Sequence, residues 1–224
     1  MDSTNTLMNI NIANVLLMII PMVLAITLHE AAHAFVAYRY GDSTAKAQGR
    51  LSLNPIVHID PMGTIVVPGL MFIFSAAAGI PLIFGWAKPV PIVPSRFRNI
   101  RQGLRMTALA GPLSNVAMAL AWGLLLLLYR WLPDTLQSPF AQMCMYGISF
   151  NAVLFALNIL PIPPLDGSRV VESFLNAKSS EAYRKIEPYG TWIILALLIS
   201  GALNYVLYPL ASLVFNLVAM MIQI

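Results

Sequence analysis

Residues 25–35 read AITLHEAAHAF, which sets His29, Glu30 and His33 inside an otherwise apolar run. Histidines four apart share one helical face, so both imidazoles can reach a single ion. Glu30 then stands where its carboxylate can take a proton from a water held by that ion. Zinc suits this set, because it accepts histidine and carboxylate ligands and keeps a fourth position open. It also brings the pKa of a water in that position close to neutral, which supplies a nucleophile. A charge in an apolar interior is costly unless it is paired or metal-bound, and ionisable groups inside membrane spans are functional candidates for that reason. Ala31, Ala32 and Ala34 leave room for a close neighbouring helix. The plainer reading is a structural histidine pair near a helix end.

Two histidines do not complete a catalytic zinc site, and only nine Asp and Glu are available for a third ligand. Asp2, Asp42, Asp60 and Asp134 fall in the N-terminal tail or polar connections. Glu172, Glu181 and Glu187 fall in a basic connection where solvated charge is the ordinary reading. Asp166 stands apart, in NILPIPPLDGSR. The prolines end an apolar run and Gly167 permits a sharp turn, so the carboxylate would sit on a stiff stub at the membrane boundary. By itself this is a helix-ending turn; with the histidines it is a candidate third ligand.

The elements that must position these groups are membrane elements. The chain is 58% hydrophobic and 10% charged, with a mean hydropathy of +0.76; soluble domains carry roughly 25% charged residues. One membrane-embedded domain over 1–224 is expected. The net charge of +4 lies in a few connections between apolar runs. No basic stripe with interleaved aromatics appears, so there is no nucleic-acid signal. Cys144 is the one cysteine, which excludes an intramolecular disulfide and a thiolate zinc site; it reads as a small buried hydrophobe. The N-terminus lacks the basic region of a cleavable signal peptide, so the first apolar run, with its histidines, is expected to stay.

Five apolar segments stand out, at about 8–40, 61–84, 105–130, 143–163 and 190–224. Connections 41–60, 85–104 and 164–189 are basic, whereas 131–142 has no Lys or Arg. The positive-inside rule places the first three in the cytoplasm and the N-terminus outside. A single crossing by segment 61–84 would then push one basic flank out. PMG, VPG and GIP break that segment into pieces too short to span. The prediction is a re-entrant helix/extended-strand hairpin at 61–92, tolerated because it is buried or lines a wet cavity. The ligands require the same: His33 and Asp166 both sit at C-terminal ends of apolar runs, which meet only if those runs are parallel. The last segment reads as one span with a bent or interfacial extension. The expected fold is an all-α polytopic membrane protein of about four spanning helices plus the hairpin.

HExxH in a span with a distal NxxPxPPLDG resembles the site-2 protease family of intramembrane zinc metalloproteases. ALAGPLSN (108–115), NPIVHIDPMGT and GWAKPVP resemble a compact prokaryotic branch of it, without PDZ or CBS domains. The resemblance implies one zinc held by His29, His33 and Asp166, with Glu30 as general base and then proton donor. It implies that Asn158 hydrogen-bonds the substrate or the oxyanion, where a neutral amide can meet developing charge. It sets Asn115 beside the site, although helix–helix hydrogen bonding accounts for that residue equally well. His58 reads as a gate or a loop histidine, and Lys88 as a snorkelling or cytoplasmic charge. An extended edge around Gly85, Trp86, Ala87 and Lys88 could pair with an unwound substrate. The expected function is hydrolysis of peptide bonds in or near transmembrane segments, for regulated proteolysis or clearance of membrane remnants. Partners would be a transmembrane protein substrate and the lipid bilayer; oligomeric state is left open. A multi-pass cell-membrane protein, prokaryotic and with its site toward the cytoplasm, is implied. The alternatives are a transporter or an inactive scaffold with a structural zinc.

Overall fold

The computed structural model describes residues 12–67, 70 and 88–222. Among them the chain is helical and no strand occurs. The principal helices are α1 (Ile12–Arg39), α3 (Ile100–Leu126), α4 (Asp134–Asn158) and α8 (Ala202–Ile222). Shorter ones are α2 (Thr44–Ala47), α5 (Asp166–Glu172), α6 (Ala177–Arg184) and α7 (Glu187–Ile199). Among the described residues four helices are long and apolar enough to cross a membrane: α1, α3 with its 3-10 extension to Trp131, α4 and α8. The protein is an all-α, multi-pass membrane protein.

Helix directions follow from which residues meet. His33 of α1 faces Thr107 of α3, and His29 faces Asn115, so the two helices are antiparallel. Asn115 meets Asn151 of α4, and Trp122 packs on Gly147, so α3 and α4 are antiparallel too. Helices α1 and α4 therefore run the same way, as the ligand positions demanded. Gly123 near the far end of α3 faces Val218 near the end of α8, so α8 runs with α3. The core is built from α3, α4 and α8: Ala119 and Trp122, Cys144, Ile148, Ala152 and Ala156, and Ala211, Val214 and Val218. Small residues at these crossings bring backbones close, which packing in lipid depends on. Opposite them, Ile20, Phe35, Trp131, Tyr205 and Met220 are exposed, as lipid-facing side chains are.

The connection from α1 to α3 leaves and returns at one end of the bundle. Arg98 N–H donates to Tyr40 O at 2.9 Å, and Val93 N–H donates to Asp42 Oδ2 at 2.6 Å. The described flanks of the connection, on either side of 61–87, thus meet at the same end of α1. Of the expected hairpin at 61–92, residues 68–69 and 71–87 lie outside the described residues. Pro61–Val66 forms a π-helical turn capped by Asp60, whose carboxylate accepts from Met62 and Gly63 N–H. Residues 88–93 form no regular element, and Val93 has extended backbone dihedrals. Gly41, at φ +113°, makes the turn after α1 in a backbone region that side chains rarely adopt.

Two sequence boundaries shift. The polar stretch 131–142 is mostly helix, because α4 begins at Asp134, directly after Pro133. An acidic residue in the first turn complements the helix dipole, and a proline just before it suits a helix start. The basic connection 164–189 holds α5 and α6. The last segment divides as expected, into the short α7 and the spanning-length α8, with Ser200–Gly201 between them and Gly201 at φ +72°.

Candidate metal centre

His29 and His33 stand one turn apart on α1, 7% and 5% exposed. Their Nε2 atoms are 3.1 Å apart, and each lies 3.2 Å from Asp166 Oδ2. Among the described residues these three form the group that could hold a metal ion. The hydrogen bonds around them decide what those atoms offer. His33 Nδ1 lies 2.7 Å from Thr107 O, and His29 Nδ1 lies 2.7 Å from Asn115 Oδ1. A carbonyl oxygen only accepts, so each Nδ1 carries a proton, and a ring with no second proton presents its Nε2 lone pair inward. Asp166 Oδ2 is buried, with the two Nε2 atoms beside it. Three such atoms at contact distance repel one another unless a proton or a metal cation stands between them. Two imidazole nitrogens and a carboxylate oxygen, with the far imidazole nitrogens held by carbonyls, match the donor chemistry of zinc.

Asp166 is brought in by a tight turn. It is the first residue of α5, and Gly167 packs against the carbonyls of Ile159 and Leu160, where no side chain would fit. Ser168 donates to Leu165 O at 2.6 Å and Tyr183 of α6 donates to Pro161 O at 2.6 Å. Gly190 of α7 abuts Pro163 O. Two further helices thus brace the stub that carries the carboxylate. From the other side α3 closes on the imidazoles at Gly111, where a Cβ would overlap His33 Nε2 and His29 Cε1.

Glu30, on the next face of α1, accepts from Val90 N–H at 2.9 Å through Oε2. That N–H lies between Pro89 and Pro91, which have none to offer. Lys88 is exposed and its N–H donates to His58 O at 3.0 Å. The N–H groups of Lys88, Val90 and Val93 are therefore already engaged within the chain. Gly85, Trp86 and Ala87 lie outside the described residues. His58 is 2% exposed and its Nε2 donates to Ser52 O at 2.9 Å, away from the three-ligand cluster. Asn158 is half-buried; its amide donates back to Leu154 O at 3.0 Å. Asn115 is fully buried; it touches His29 and bonds Asn151 of α4 at 2.8 Å. Sequence reasoning missed Thr107, Gly111, Val90 and Asn151. Asn151 had a signal, being an amide in an apolar run. Thr107 and Val90 act through backbone atoms and had none.

The sequence profile of Peptidase family M50 matches residues 129–201. A Bacillus subtilis (strain 168) protein named "Putative zinc metalloprotease YwhC" is 38% identical over 199 residues, covering 87% of this chain and 85% of that protein. The chain belongs to the M50, or site-2 protease, family. It is thus a zinc metalloprotease. A family relative in Mycolicibacterium smegmatis, "Putative zinc metalloprotease Rip2", is 34% identical over 84% of this chain and 69% of its own length. An archaeal one, "Putative zinc metalloprotease MJ0611" of Methanocaldococcus jannaschii, is 28% identical over 80% of this chain and 74% of its own. No solved structure matches the chain.

Proposed function

We propose that this family member hydrolyses peptide bonds within or near transmembrane segments of membrane-protein substrates, to release a regulator or to clear membrane remnants. The observation that carries this reading is the depth of the ligand set. His29 and His33 lie inside a helix of spanning length, ten and six residues before the end of the apolar stretch Leu17–Arg39 that would cross. A hydrolytic centre there meets peptide bonds that a soluble protease does not.

In this reading His29, His33 and Asp166 hold the zinc. A bound zinc ion acidifies water and polarises a peptide carbonyl. Glu30 takes the proton from the attacking water and delivers it to the leaving nitrogen. Val90 N–H holds Oε2, which leaves Oε1 for that transfer. Asn158 supplies an amide N–H to the oxygen on which negative charge develops, after leaving its bond to Leu154 O. The site faces the cytoplasm and both ends of the chain face outward. Supporting this, the basic residues of the α1–α3 and α4–α7 connections share the bundle end at which Asp166 meets the histidines.

The test uses purified chain and a single-span model substrate, comparing wild type with Glu30→Gln. Removing the general base should slow cleavage by about a hundredfold or more. Equal cleavage by both proteins rejects the mechanism.

A further inference from the structure

A chain of amides runs from the candidate metal centre through three helices. His29 Nδ1 meets Asn115 Oδ1 at 2.7 Å, Asn115 Nδ2 donates to Asn151 Oδ1 at 2.8 Å, and Asn151 Nδ2 donates to Gly147 O at 2.8 Å. Both asparagines are 0% exposed. An isolated asparagine side chain can turn over and exchange its donor and acceptor ends. This one cannot, and the reason lies at the far end. Gly147 O is a backbone carbonyl and only accepts, so Asn151 must give it the NH2 end. Asn151 then offers its oxygen to Asn115, which must answer with its own NH2. Asn115 is left with its oxygen toward His29, and His29 must carry its proton on Nδ1. Each assignment forces the next, because an inverted amide would place two donors or two acceptors together in a dry interior.

We infer that Asn151 is a positioning residue for the metal centre: it orients the Asn115 amide and thereby holds His29 in the tautomer whose Nε2 lone pair faces Asp166 and His33. This rests on the reading of those three residues as zinc ligands. Asn151 touches neither metal nor substrate. Its effect is on which end of Asn115 the histidine meets. Without it the Asn115 amide is free to invert, His29 can shift its proton to Nε2, and one lone pair is lost from the cluster.

Zinc affinity of the purified full-length chain, measured by chelator competition, tests this in two backgrounds. Asn151→Leu should raise the zinc Kd by about 10–100-fold, the usual effect of losing an outer partner of a ligating histidine. In an Asn115→Asp background the same substitution should change Kd by less than about threefold, since a carboxylate accepts from His29 whichever way it is turned. A merely structural role predicts the same loss in both backgrounds, and that outcome overturns the proposal, as does no loss in either. Independently, 15N spectra of histidine-labelled, zinc-loaded wild type should show His29 protonated at Nδ1 and coordinated through Nε2. Protonation at Nε2 overturns the proposal without any variant. Unchanged zinc affinity in His29→Ala would instead reject the ligand assignment itself, which separates the two failures.

Discussion

At the scale of single residues, the site is two imidazoles and a carboxylate close enough to share one cation. Their convergence depends on what is absent from α3 as much as on the ligands. Gly111 lets that helix touch both imidazoles, and a methyl group there would overlap His33 Nε2. Overpacking of this kind costs roughly 1–3 kcal/mol. Gly111→Ala is therefore expected to push the rings apart and lower zinc affinity by tenfold or so, while helix content by circular dichroism stays as in wild type. Wild-type zinc affinity would show that α3 can move back at no cost. Asp166→Ala removes the anionic ligand and should lower bound zinc in metal analysis. Full zinc retention would exclude Asp166 from the ligand set. Gly111 was visible in the sequence within ALAGPLSN, but its contact with the histidines was not, because spacing along one helix says nothing of what the next helix presents.

At the scale of elements, the corner after α1 holds the segment that reaches Glu30. Asp42 is its pin. Its carboxylate is fully buried and accepts from Thr44 N–H at 2.9 Å, from the Thr44 hydroxyl and from Val93 N–H. Burial disfavours its charge, but these hydrogen bonds and nearby Arg96 outweigh burial and hold the carboxyl below its usual range. A folded-state pKa below the unfolded value means that the stabilisation is complete above about pH 4. It is lost as pH falls through the folded-state value. Asp42→Asn should thus lower thermal stability at neutral pH, and the gap to wild type should narrow in acid. Parallel stability curves down to about pH 2 would show that the charge of Asp42 contributes nothing. The sequence marked Asp42 only as a loop acid. Its partner Val93 is 51 positions away, and no local pattern joins them.

For the whole molecule, the bundle has a basic end and an end with few charges. The described flanks of the α1–α3 connection, near 40–42 and 93–98, and connection 159–186 lie at the end where Asp166 meets the histidines; the 3-10 turn at Leu127–Trp131 lies at the other. Cys144 is buried, so single cysteines can report sidedness. Gln48→Cys is expected to react with an impermeant maleimide only when the cytoplasmic face is open, and Thr135→Cys from outside intact cells. The reverse pattern would invert the proposed orientation. The return of the α1–α3 connection to the same end of α1 is independent of that choice. It follows from Arg98 N–H meeting Tyr40 O, and it is what allows α1 and α4 to run in parallel.

The sequence by itself determined the membrane class, the positions of the spanning runs and the three candidate ligands. Those follow from local composition and from the 3.6-residue period that puts His29 and His33 on one face. It also demanded that segment 61–84 not cross once, because charge and ligand geometry are both global constraints that a chain must satisfy. Only the tertiary structure decided how the site is held. The orienting carbonyls of Thr107 and Asn115, the Gly111 approach, the Val90 N–H on Glu30 and the Asn151 anchor are all contacts between elements distant in sequence. Several use backbone atoms, which every residue carries and no sequence pattern singles out. The helix start at Asp134 was hidden for a related reason: polar residues at a membrane edge look alike whether they form a loop or the first turns of a helix.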